Sequence, residues 1–278
     1  MDVLENFKNY LIQNEKSEKT INAYLYDINE FFSFFKNKDI NKFHNKDIVT
    51  YKEYLLYNRL LEPTSINRKL IALQQFFTFC EITLNIRQVK VQKNNFLVNL
   101  IEKKELDKLL EGIDYYKDFR AKALIYTLAS TGMRISELLS LKVDVINKDS
   151  TKVLGKGKKI RTVFFSSKTK KVLSDYYYKG RKNTDDTYLF TGIRGRSTQS
   201  WADKEFKKYA KIVGIPIEKA FCHNLRHYFI RRALIEKKLP ITVVADIVGH
   251  SNIETTRRYA TTSYDELLNI MENFNSDD

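Results

Sequence analysis

The first 111 residues contain no glycine and only one proline, Pro63. Both residue types interrupt helices, so a stretch almost without them favours long helices joined by short turns. Apolar side chains recur here every three or four residues, as on one face of a helix. We therefore predict a four-helix bundle, with apolar stripes that begin at Leu4 and Ile21, a third helix over 47–58 and a fourth after Pro63. Ser17 is the predicted N-cap of the second helix.

The sequence also lacks any apolar run of about 18 residues, the length that a membrane-spanning helix needs. Its first residues, MDVLENFKNY, include acidic side chains early and show no apolar core of a signal peptide. The two cysteines, Cys80 and Cys222, lie far apart, which favours free thiols over a disulfide. We therefore expect a cytoplasmic protein without a membrane segment.

Metal-binding and phosphate-loop motifs are missing as well. No CxxC or HExxH pattern occurs, so the sequence gives no sign of a zinc site. The GKG tripeptide around Lys156 lacks the GxxxxGK[ST] spacing of a P-loop. His223 and His227 are four residues apart, but Arg226 between them would repel a cation, so we predict no metal and no cofactor. His227 is expected to be packed or hydrogen-bonded inside the fold.

Acidic side chains are too few to balance the basic ones, and the formal net charge is +14. Residues 1–90 have 13 basic and 11 acidic side chains, whereas residues 91–259 have 35 and 18. The last 19 residues have five acidic side chains and no basic one. A basic excess in the middle of the chain is typical of a protein that binds nucleic acid, although a solvated lysine-rich surface would give the same count.

The helical pattern breaks between Arg87 and Asn95, where RQVKVQKNN is polar and basic. We interpret residues 88–96 as a linker between a helical domain at 1–87 and a second domain at 97–278; an ordinary surface loop is the alternative. The second domain is predicted to be mainly helical with a small β-sheet, so that the whole fold is mainly α, of the α+β class.

Two helices are expected at the start of the second domain, one ending near Gly112 and one over 118–130. The dipeptide TG ends the second of them, and Arg134 follows at once. Glu137 comes three residues later on the same helical face, where it can orient the arginine or form an ordinary structural salt bridge.

A β-hairpin is expected next. The segment STKVLGKGKKIRTVFFS predicts two short strands joined by a tight glycine turn, with Lys156 at its tip. Further helices are expected at 168–179 and 199–213, separated by a loop that contains TGIRGRST.

Residues 223–259 contain three of the four histidines and end on Tyr259. A helix is predicted over 224–237. His223 directly precedes it and would lie on the same face as Arg226, three residues later. Imidazole, guanidinium and phenol groups are those needed to make and break a phosphodiester without a metal.

The end of this stretch predicts three short helices. Pro240 begins one that ends at Gly249, directly before His250. A capping-box pattern at Ser251 begins the next, with Tyr259 near its far end. A second such pattern opens a last helix over about 263–275, which is apolar on one face and would dock on its own domain or on a neighbouring subunit.

Together these motifs resemble the tyrosine recombinase (phage integrase) family, in particular its short Xer-like members. TGMRISELLSL resembles the first arginine box of the family, and VLGKGKKIR resembles its β-hairpin lysine segment. HNLRHYF resembles the H-x-L-R-H box, and IVGHSNIETTRRY resembles the box that joins a histidine to a tyrosine nine residues later. TINAYLYDINEFFSFF and SINRKLIALQQFF resemble the helical, SAM-like core-binding domain, so the resemblance covers nearly the whole chain.

The resemblance implies a site-specific recombinase that cuts and rejoins duplex DNA through a covalent 3′-phosphotyrosine. Its six catalytic positions are matched by Arg134, Lys156, His223, Arg226, His250 and Tyr259. Tyr259 would be the nucleophile. Glu137 would support Arg134 from behind.

The remaining roles follow from the same resemblance. Arg134, Arg226 and His250 would stabilise the charge on the phosphate oxygens in the transition state. Lys156 would protonate the leaving 5′-oxygen, and His223 would act as the base or proton shuttle for the tyrosine.

The implied partner is a double-stranded DNA recombination site on which four protomers assemble; accessory proteins are an open question. Arg68 and Lys69 in the fourth helix are candidates for DNA contacts. A type IB topoisomerase-like relaxase, a non-catalytic DNA-binding regulator and a metal-dependent nuclease are the alternatives. Resolution, integration and excision all remain open as biological tasks.

Overall fold

The computed structural model describes residues 3–90, 99–155, 159–182, 184–192 and 195–260. Contacts within the chain divide it into two compact units, Met1–Lys93 and Asn94–Asp278. None of the described helices is both long enough and apolar enough to cross a membrane.

The first unit contains four α-helices, as the sequence predicts. They are α1 at Val3–Gln13, α2 at Glu18–Phe34, α3 at Asn45–Glu53 and α4 at Pro63–Phe79. A π-helical turn at Tyr54–Asn58 continues α3 to the predicted end of the third helix. The cap at Ser17 is confirmed, because its hydroxyl accepts a hydrogen bond from the Thr20 amide at 3.2 Å. Pro63 occupies the first turn of α4, where its missing N–H is harmless.

Aromatic rings fill the centre of this bundle. Phe31 in α2 is fully buried, and its ring centroid lies 4.9 Å from that of Phe43, 5.0 Å from Tyr51 and 5.9 Å from Phe77. Each such pair adds about 0.5–1.5 kcal/mol to the stabilisation that comes from burial. The rings thereby join α2, α3 and α4 into one core.

A buried ionic network crosses the same bundle. Asp27 is fully buried and accepts hydrogen bonds from Arg68 and, at 2.9 Å, from Lys69 Nζ. Lys69 also donates to Glu30 at 2.7 Å and is only 5% exposed. The expectation that Lys69 contacts DNA is therefore wrong, because its ammonium is held by two carboxylates inside the bundle. The side chain of Arg68 is about half exposed, and its contact with DNA stays a prediction.

After α4 the chain remains attached to the bundle as far as Val89. The side chain of Asn67 donates to the Val89 carbonyl at 2.9 Å and accepts from the Val89 amide at 2.7 Å. The predicted linker at 88–96 therefore begins within this attached segment. Residues 91–98 lie outside the described part of the chain, and the linker boundaries stay a prediction.

The second unit is mainly helical with short strands, as predicted. Its helices are α5 at Lys103–Tyr115, α6 at Phe119–Thr131, α7 at Ile135–Leu138, α8 at Ser167–Asp175, α9 at Gln199–Val213, α10 at Cys222–Arg231, α11 at Ile241–Val248 and α12 at Ile253–Arg257. π-Helical turns at Tyr176–Gly180 and Arg232–Glu236 follow α8 and α10. The apolar residues of α6, such as Leu124 and Leu128, are fully buried at the centre of the core.

Helix α5 departs from the prediction, because it continues through Gly112 to Tyr115. A Cβ at Gly112 would lie 2.5 Å from Val213 Cγ1 of α9. Glycine at this position therefore allows two helices to approach closely and does not end the first one. Helix α6 ends where predicted, at Gly132, whose φ of 63° is left-handed.

The predicted β-hairpin consists of β1 at Ser150–Leu154 and β2 at Ile160–Phe164, which are antiparallel. Val153 pairs with Arg161, and the buried Val163 shares the inner face with both. Lys156 lies outside the described residues. The segment predicted as a loop at TGIRGRST contains a second small antiparallel pair, β3 at Thr191–Gly192 and β4 at Gly195–Arg196.

Helix α11 follows Pro240 and ends at Gly249, whose φ is 68°, as predicted. The capping box predicted at Ser251 is wrong, because the side chain of Asn252 caps α12. Tyr259 is not within α12 but in the turn that follows it. The helix predicted over about 263–275 lies outside the described residues.

Candidate active site

Arg226 lies on α10 and is 1% exposed. Its Nη1 donates to the Gly132 carbonyl at 2.7 Å and its Nη2 donates to the Val248 carbonyl at 2.8 Å. Burial is the main cause that lowers the pKa of Arg226 to about 9, and the nearby Arg134 and Arg161 lower it further. The guanidinium therefore remains charged at neutral pH inside the protein, and among the described residues no carboxylate is hydrogen-bonded to it.

Arg134 directly precedes α7, and Glu137 in that helix binds it twice. The Glu137 carboxylate accepts from the Arg134 backbone N–H at 2.8 Å and from its Nη1 at 2.9 Å. Nη2 of the same arginine donates to the Gly249 carbonyl at 3.3 Å. About a quarter of the side chain is exposed, so this guanidinium is both anchored and open to solvent.

The Glu137 carboxylate accepts a third hydrogen bond, from a second residue that no sequence motif indicated. Nη2 of Arg161, on β2, donates to Glu137 Oε2 at 2.8 Å. Burial alone would raise the pKa of Glu137, but the hydrogen bonds from Arg161 and Arg134 outweigh it and hold that pKa below its ordinary value. The carboxylate is therefore ionised and shared between two arginines.

The three arginines meet at the C-terminal end of α11. Arg161 Nη1 donates to the Ile247 carbonyl at 2.5 Å, Arg226 to that of Val248, and Arg134 to that of Gly249. Carbonyls at a helix end have no partner within the helix, and they carry the negative end of the helix dipole. The end of α11 is therefore a natural acceptor for three cations from three different elements.

His250 follows this helix end directly. Its Nδ1 lies 2.8 Å from the hydroxyl of Thr256, a fully buried residue of α12. Burial and the charges of Arg226 and Arg134 lower the pKa of His250 to about 4, so the imidazole is neutral at neutral pH. A neutral ring has one donor and one acceptor, and the contact with Thr256 directs the other nitrogen, Nε2, to a different partner.

Tyr259 is 7% exposed and packs in a small apolar cluster with Ile230, Val244 and Val248. Its hydroxyl lies 2.5 Å from His227 Nδ1. Burial raises the pKa of Tyr259, although the charge of Arg226 opposes the shift. Five of the six predicted catalytic residues lie in the described part of the chain, and the tyrosine is placed beside the arginine-lined helix end.

The histidine that contacts the tyrosine is not the one that the sequence analysis chose. Burial, followed by the charge of a protonated His223, lowers the pKa of His227 to about 3, so its ring is neutral at neutral pH. The tautomer of the ring sets which partner donates in the hydrogen bond between its Nδ1 and the tyrosine hydroxyl. His223 lies one turn earlier on α10 and is exposed, with its ring centroid 4.3 Å from that of His227. Desolvation and the charges of Arg226 and Arg134 lower the pKa of His223 as well.

Signals for both missed residues were present in the sequence. The spacing of four residues places His227 on the same helical face as His223. Strand alternation places Arg161 on the same face as Val163, which is buried. Neither signal indicates which partner the side chain meets, because Tyr259 and Glu137 are distant along the chain.

The hairpin turn also borders the site. A Cβ built on Gly155 would lie 3.6 Å from both Arg134 Nη1 and Glu137 Oε1. The residue next to it, Lys156, lies outside the described residues. No group of three or more potential metal ligands occurs among the residues that the structure describes. The arrangement combines excess positive charge, neutral imidazoles and a phenol, which suits attack on a phosphodiester.

Comparison with known families matches both units. Residues 99–266 match the sequence model of the phage integrase family, and residues 4–81 match that of the phage integrase N-terminal SAM-like domain. The TnP I resolvase of Bacillus thuringiensis is 31% identical over 98% of this chain and 99% of its own length. A tyrosine recombinase of Pseudothermotoga lettingae is 30% identical over 92% of both chains.

Solved structures show the same fold. The crystal structure of XerA recombinase is 26% identical, covers 98% of this chain and 97% of its own, and has a TM-score of 0.54. A lambda integrase dimer bound to a COC′ core site is 14% identical, covers 93% of this chain and 94% of its own, and has a TM-score of 0.74. The second likeness concerns the fold alone.

Proposed function

Since the chain belongs to the phage integrase family, and is therefore a tyrosine recombinase that cuts and rejoins DNA at specific sites, we propose that Tyr259 is its nucleophile. The phenol oxygen attacks a backbone phosphorus, the bond from phosphorus to the 5′-oxygen breaks, and a 3′-phosphotyrosine forms. The released 5′-hydroxyl, or one from a second duplex, then attacks the same phosphorus and expels the tyrosine. Each step exchanges one ester bond for another, so no ATP is needed.

Arg134, Arg226 and His250 are proposed to stabilise the negative charge on the non-bridging phosphate oxygens. Their support is a shared anchor, since both arginines bind the end of α11 and His250 directly follows it. Fixed donors need no reorganisation when charge develops, and losing one typically slows a reaction by about 10²–10³. Glu137 is proposed to hold Arg134 in place.

Two proton transfers complete the reaction. Lys156 is proposed to protonate the leaving 5′-oxygen; the position of Gly155 beside Arg134 supports a place for it at the phosphate. Tyr259 must lose its proton, and His223 is proposed as the shuttle to solvent. Its neighbour His227 lies between this exposed imidazole and the tyrosine hydroxyl, which supports a route through the histidine pair.

The substrate is proposed to be a double-stranded DNA recombination site bound by both domains, the helical one at 1–87 and the catalytic one at 97–278, with 88–96 between them. Four protomers are proposed to assemble on two such sites, with the segment at about 263–275 docking on the next subunit. Resolution, integration and excision use the same strand exchange at different pairs of sites. A protein that acts on DNA in this way is proposed to reside in the cytoplasm.

The observation that carries this proposal is the position of Tyr259. Its hydroxyl is hydrogen-bonded to His227, and its ring packs in one cluster with Val248, whose carbonyl binds Arg226. The test is covalent capture of a suicide duplex, whose nick lets the cleaved end diffuse away, in buffer that contains EDTA. The wild-type chain should form a protein–DNA adduct that survives denaturation, and Tyr259→Phe should form none. An adduct with the phenylalanine variant, or loss of the wild-type adduct in EDTA, would contradict the mechanism.

A further inference from the structure

Arg161 has no part in the mechanism described so far, yet it is one of the most constrained side chains of the catalytic unit. It lies on β2, its side chain is 10% exposed, and both of its Nη atoms have acceptors inside the protein. One acceptor is Glu137 and the other is the Ile247 carbonyl. Since the side chain is 10% exposed and each Nη atom is bound inside the protein, a role in the reaction is expected to pass through these partners.

Glu137 is the partner through which such an effect can pass. Its Oε1 binds Nη1 of Arg134, and its Oε2 binds both the Arg134 amide and Nη2 of Arg161. A carboxylate held at both oxygens cannot rotate about its last bond without losing a hydrogen bond. Among the described residues, the side chains hydrogen-bonded to the Glu137 carboxylate are those of Arg134 and Arg161, so without Arg161 the carboxylate would be bound there by the arginine that it is meant to orient.

We propose that Arg161 is a positioning residue, which fixes Glu137 and thereby aims the guanidinium of Arg134 at the scissile phosphate. This inference rests on the proposed function, in which Arg134 stabilises the phosphate charge. Arg161 itself does not touch the DNA. It also ties β2 to the end of α11, so the strand, Glu137 and the residues before His250 are set relative to one another.

Gly249 gives independent support for the fit of Arg161 against this helix end. A Cβ at Gly249 would lie 2.5 Å from Arg161 Cδ, so any larger residue would push the arginine away. Gly214 ends α9 with a similar left-handed φ of 74°, but a Cβ there would meet nothing within 4 Å. The two glycines therefore form a matched pair, in which only one change disturbs Arg161.

The experiment uses the full-length protein and a suicide duplex obtained by wild-type covalent capture from a randomised DNA pool. The single-turnover rate of adduct formation at saturating DNA is measured for Arg161→Lys and Arg161→Ala, together with the DNA dissociation constant and the melting temperature. Lysine keeps the charge but cannot bridge two acceptors as a guanidinium does. We expect a rate reduced by about 10–100-fold, the range typical of residues that orient a ligating group, with unchanged DNA affinity.

A second substrate separates positioning from general damage to the fold. A methylphosphonate at the mapped cleavage position replaces one charged oxygen by a neutral methyl group. The transition state then has less negative charge for Arg134 to stabilise. The deficit of the Arg161 variants should shrink on this substrate. The variant that combines Arg161→Lys with Glu137→Gln should form the adduct only slightly more slowly than the slower of the two single variants, because both changes act on the same contact.

Arg181 provides the control, since its guanidinium also binds backbone carbonyls, those of Asp186, Tyr188 and Leu189, and has no hydrogen bond to a site residue that the structure describes. Arg181→Ala should lower the melting temperature and leave the cleavage rate of the folded protein unchanged. Gly249→Ala should slow cleavage more than Gly214→Ala, although both substitutions place alanine at a left-handed φ.

Equal deficits on the two substrates, or deficits that multiply in the double variant, would overturn the positioning role. A wild-type chain that captures no duplex at all would overturn the proposed function, and this inference with it.

Discussion

The two units of the chain each contain a cluster of three cationic side chains, and the clusters differ in the groups that balance their charge. In the helical unit, Arg59, Arg68 and Lys69 meet two carboxylates, those of Asp27 and Glu30. Both arginines there are about half exposed, so solvent shares in their stabilisation.

In the catalytic unit, Arg134 and Arg161 share one carboxylate, that of Glu137, and no carboxylate of a described residue is hydrogen-bonded to Arg226. Backbone carbonyls at the end of α11 provide the other contacts. Carbonyl dipoles orient a cation without cancelling its charge. The first cluster is therefore a structural tie, whereas the second keeps an excess of positive charge that an anion can neutralise.

The largest expected effect tests whether the unbalanced charge is what the reaction needs. Arg226→Lys keeps a positive charge but cannot bind the Gly132 and Val248 carbonyls as a planar fork does. We expect adduct formation at saturating DNA to fall by about 10²–10³. The equivalent change in the helical unit, Arg68→Lys, should leave this rate unchanged, and a comparable loss there would erase the distinction between the clusters.

The next effect tests whether the helical cluster is purely structural. Asp27→Ala removes the fully buried carboxylate that binds Arg68 and Lys69, and leaves Lys69 with Glu30 alone. Breaking a buried ion pair from one side typically destabilises a protein by about 3–5 kcal/mol. Urea unfolding followed by circular dichroism should show a loss of this order. Under conditions where the variant is folded, adduct formation at saturating DNA should match wild type.

The smallest effect concerns acid, and it follows from the burial of two imidazoles beside the positive charges of the catalytic cluster. The pKa values of His227 and His250 are lowered to about 3 and about 4, from an ordinary value near 6.5. At lower pH these imidazoles therefore bind protons in the unfolded chain but not in the folded one. Their contribution to the free energy of unfolding is fully present above about pH 6.5 and decreases as the pH falls below that value. Each imidazole should contribute a slope of about 1.4 kcal/mol per pH unit below about pH 6.

The measurement is the urea midpoint between pH 7.5 and pH 5, where most carboxylates remain ionised. Replacing one imidazole, by His227→Gln or by His250→Gln, should remove about a third to a half of the slope, because His223, whose pKa is lowered as well, also contributes. A slope that neither variant changes would mean that other groups govern the acid sensitivity.

Much of the fold is encoded locally and could be predicted from the sequence. Ser17 and Pro63 mark helix starts through their own backbone chemistry, and α9 has the predicted bounds because its apolar periodicity is uninterrupted. The end of α5 was predicted wrongly at Gly112, because this glycine allows close packing against Val213, a contact that no local sequence pattern reveals. The N-cap of α12 was predicted wrongly at Ser251, because the neighbouring Asn252 provides the capping side chain.

The sequence names candidate members of the site but not the contacts among them. The resemblance selected Arg134, Arg226, His250 and Tyr259 by the order and spacing of short motifs. Lys69 was misassigned, because its partner Asp27 lies 42 residues away in the chain. For the same reason, the sequence could not pair His227 with the tyrosine hydroxyl or Arg161 with Glu137.

The end of α11 has a consequence for how such a site survives evolutionary change. Its three acceptors, at Ile247, Val248 and Gly249, are main-chain oxygens, which every amino acid provides. Substitutions along the exposed side of α11 can therefore accumulate without altering the anchor, provided that the helix keeps its length and ends at a glycine. A relative whose α11 has drifted in sequence should still hold its arginines at the same spacing, whereas a single inserted residue would rotate the acceptors by about 100° and disperse them.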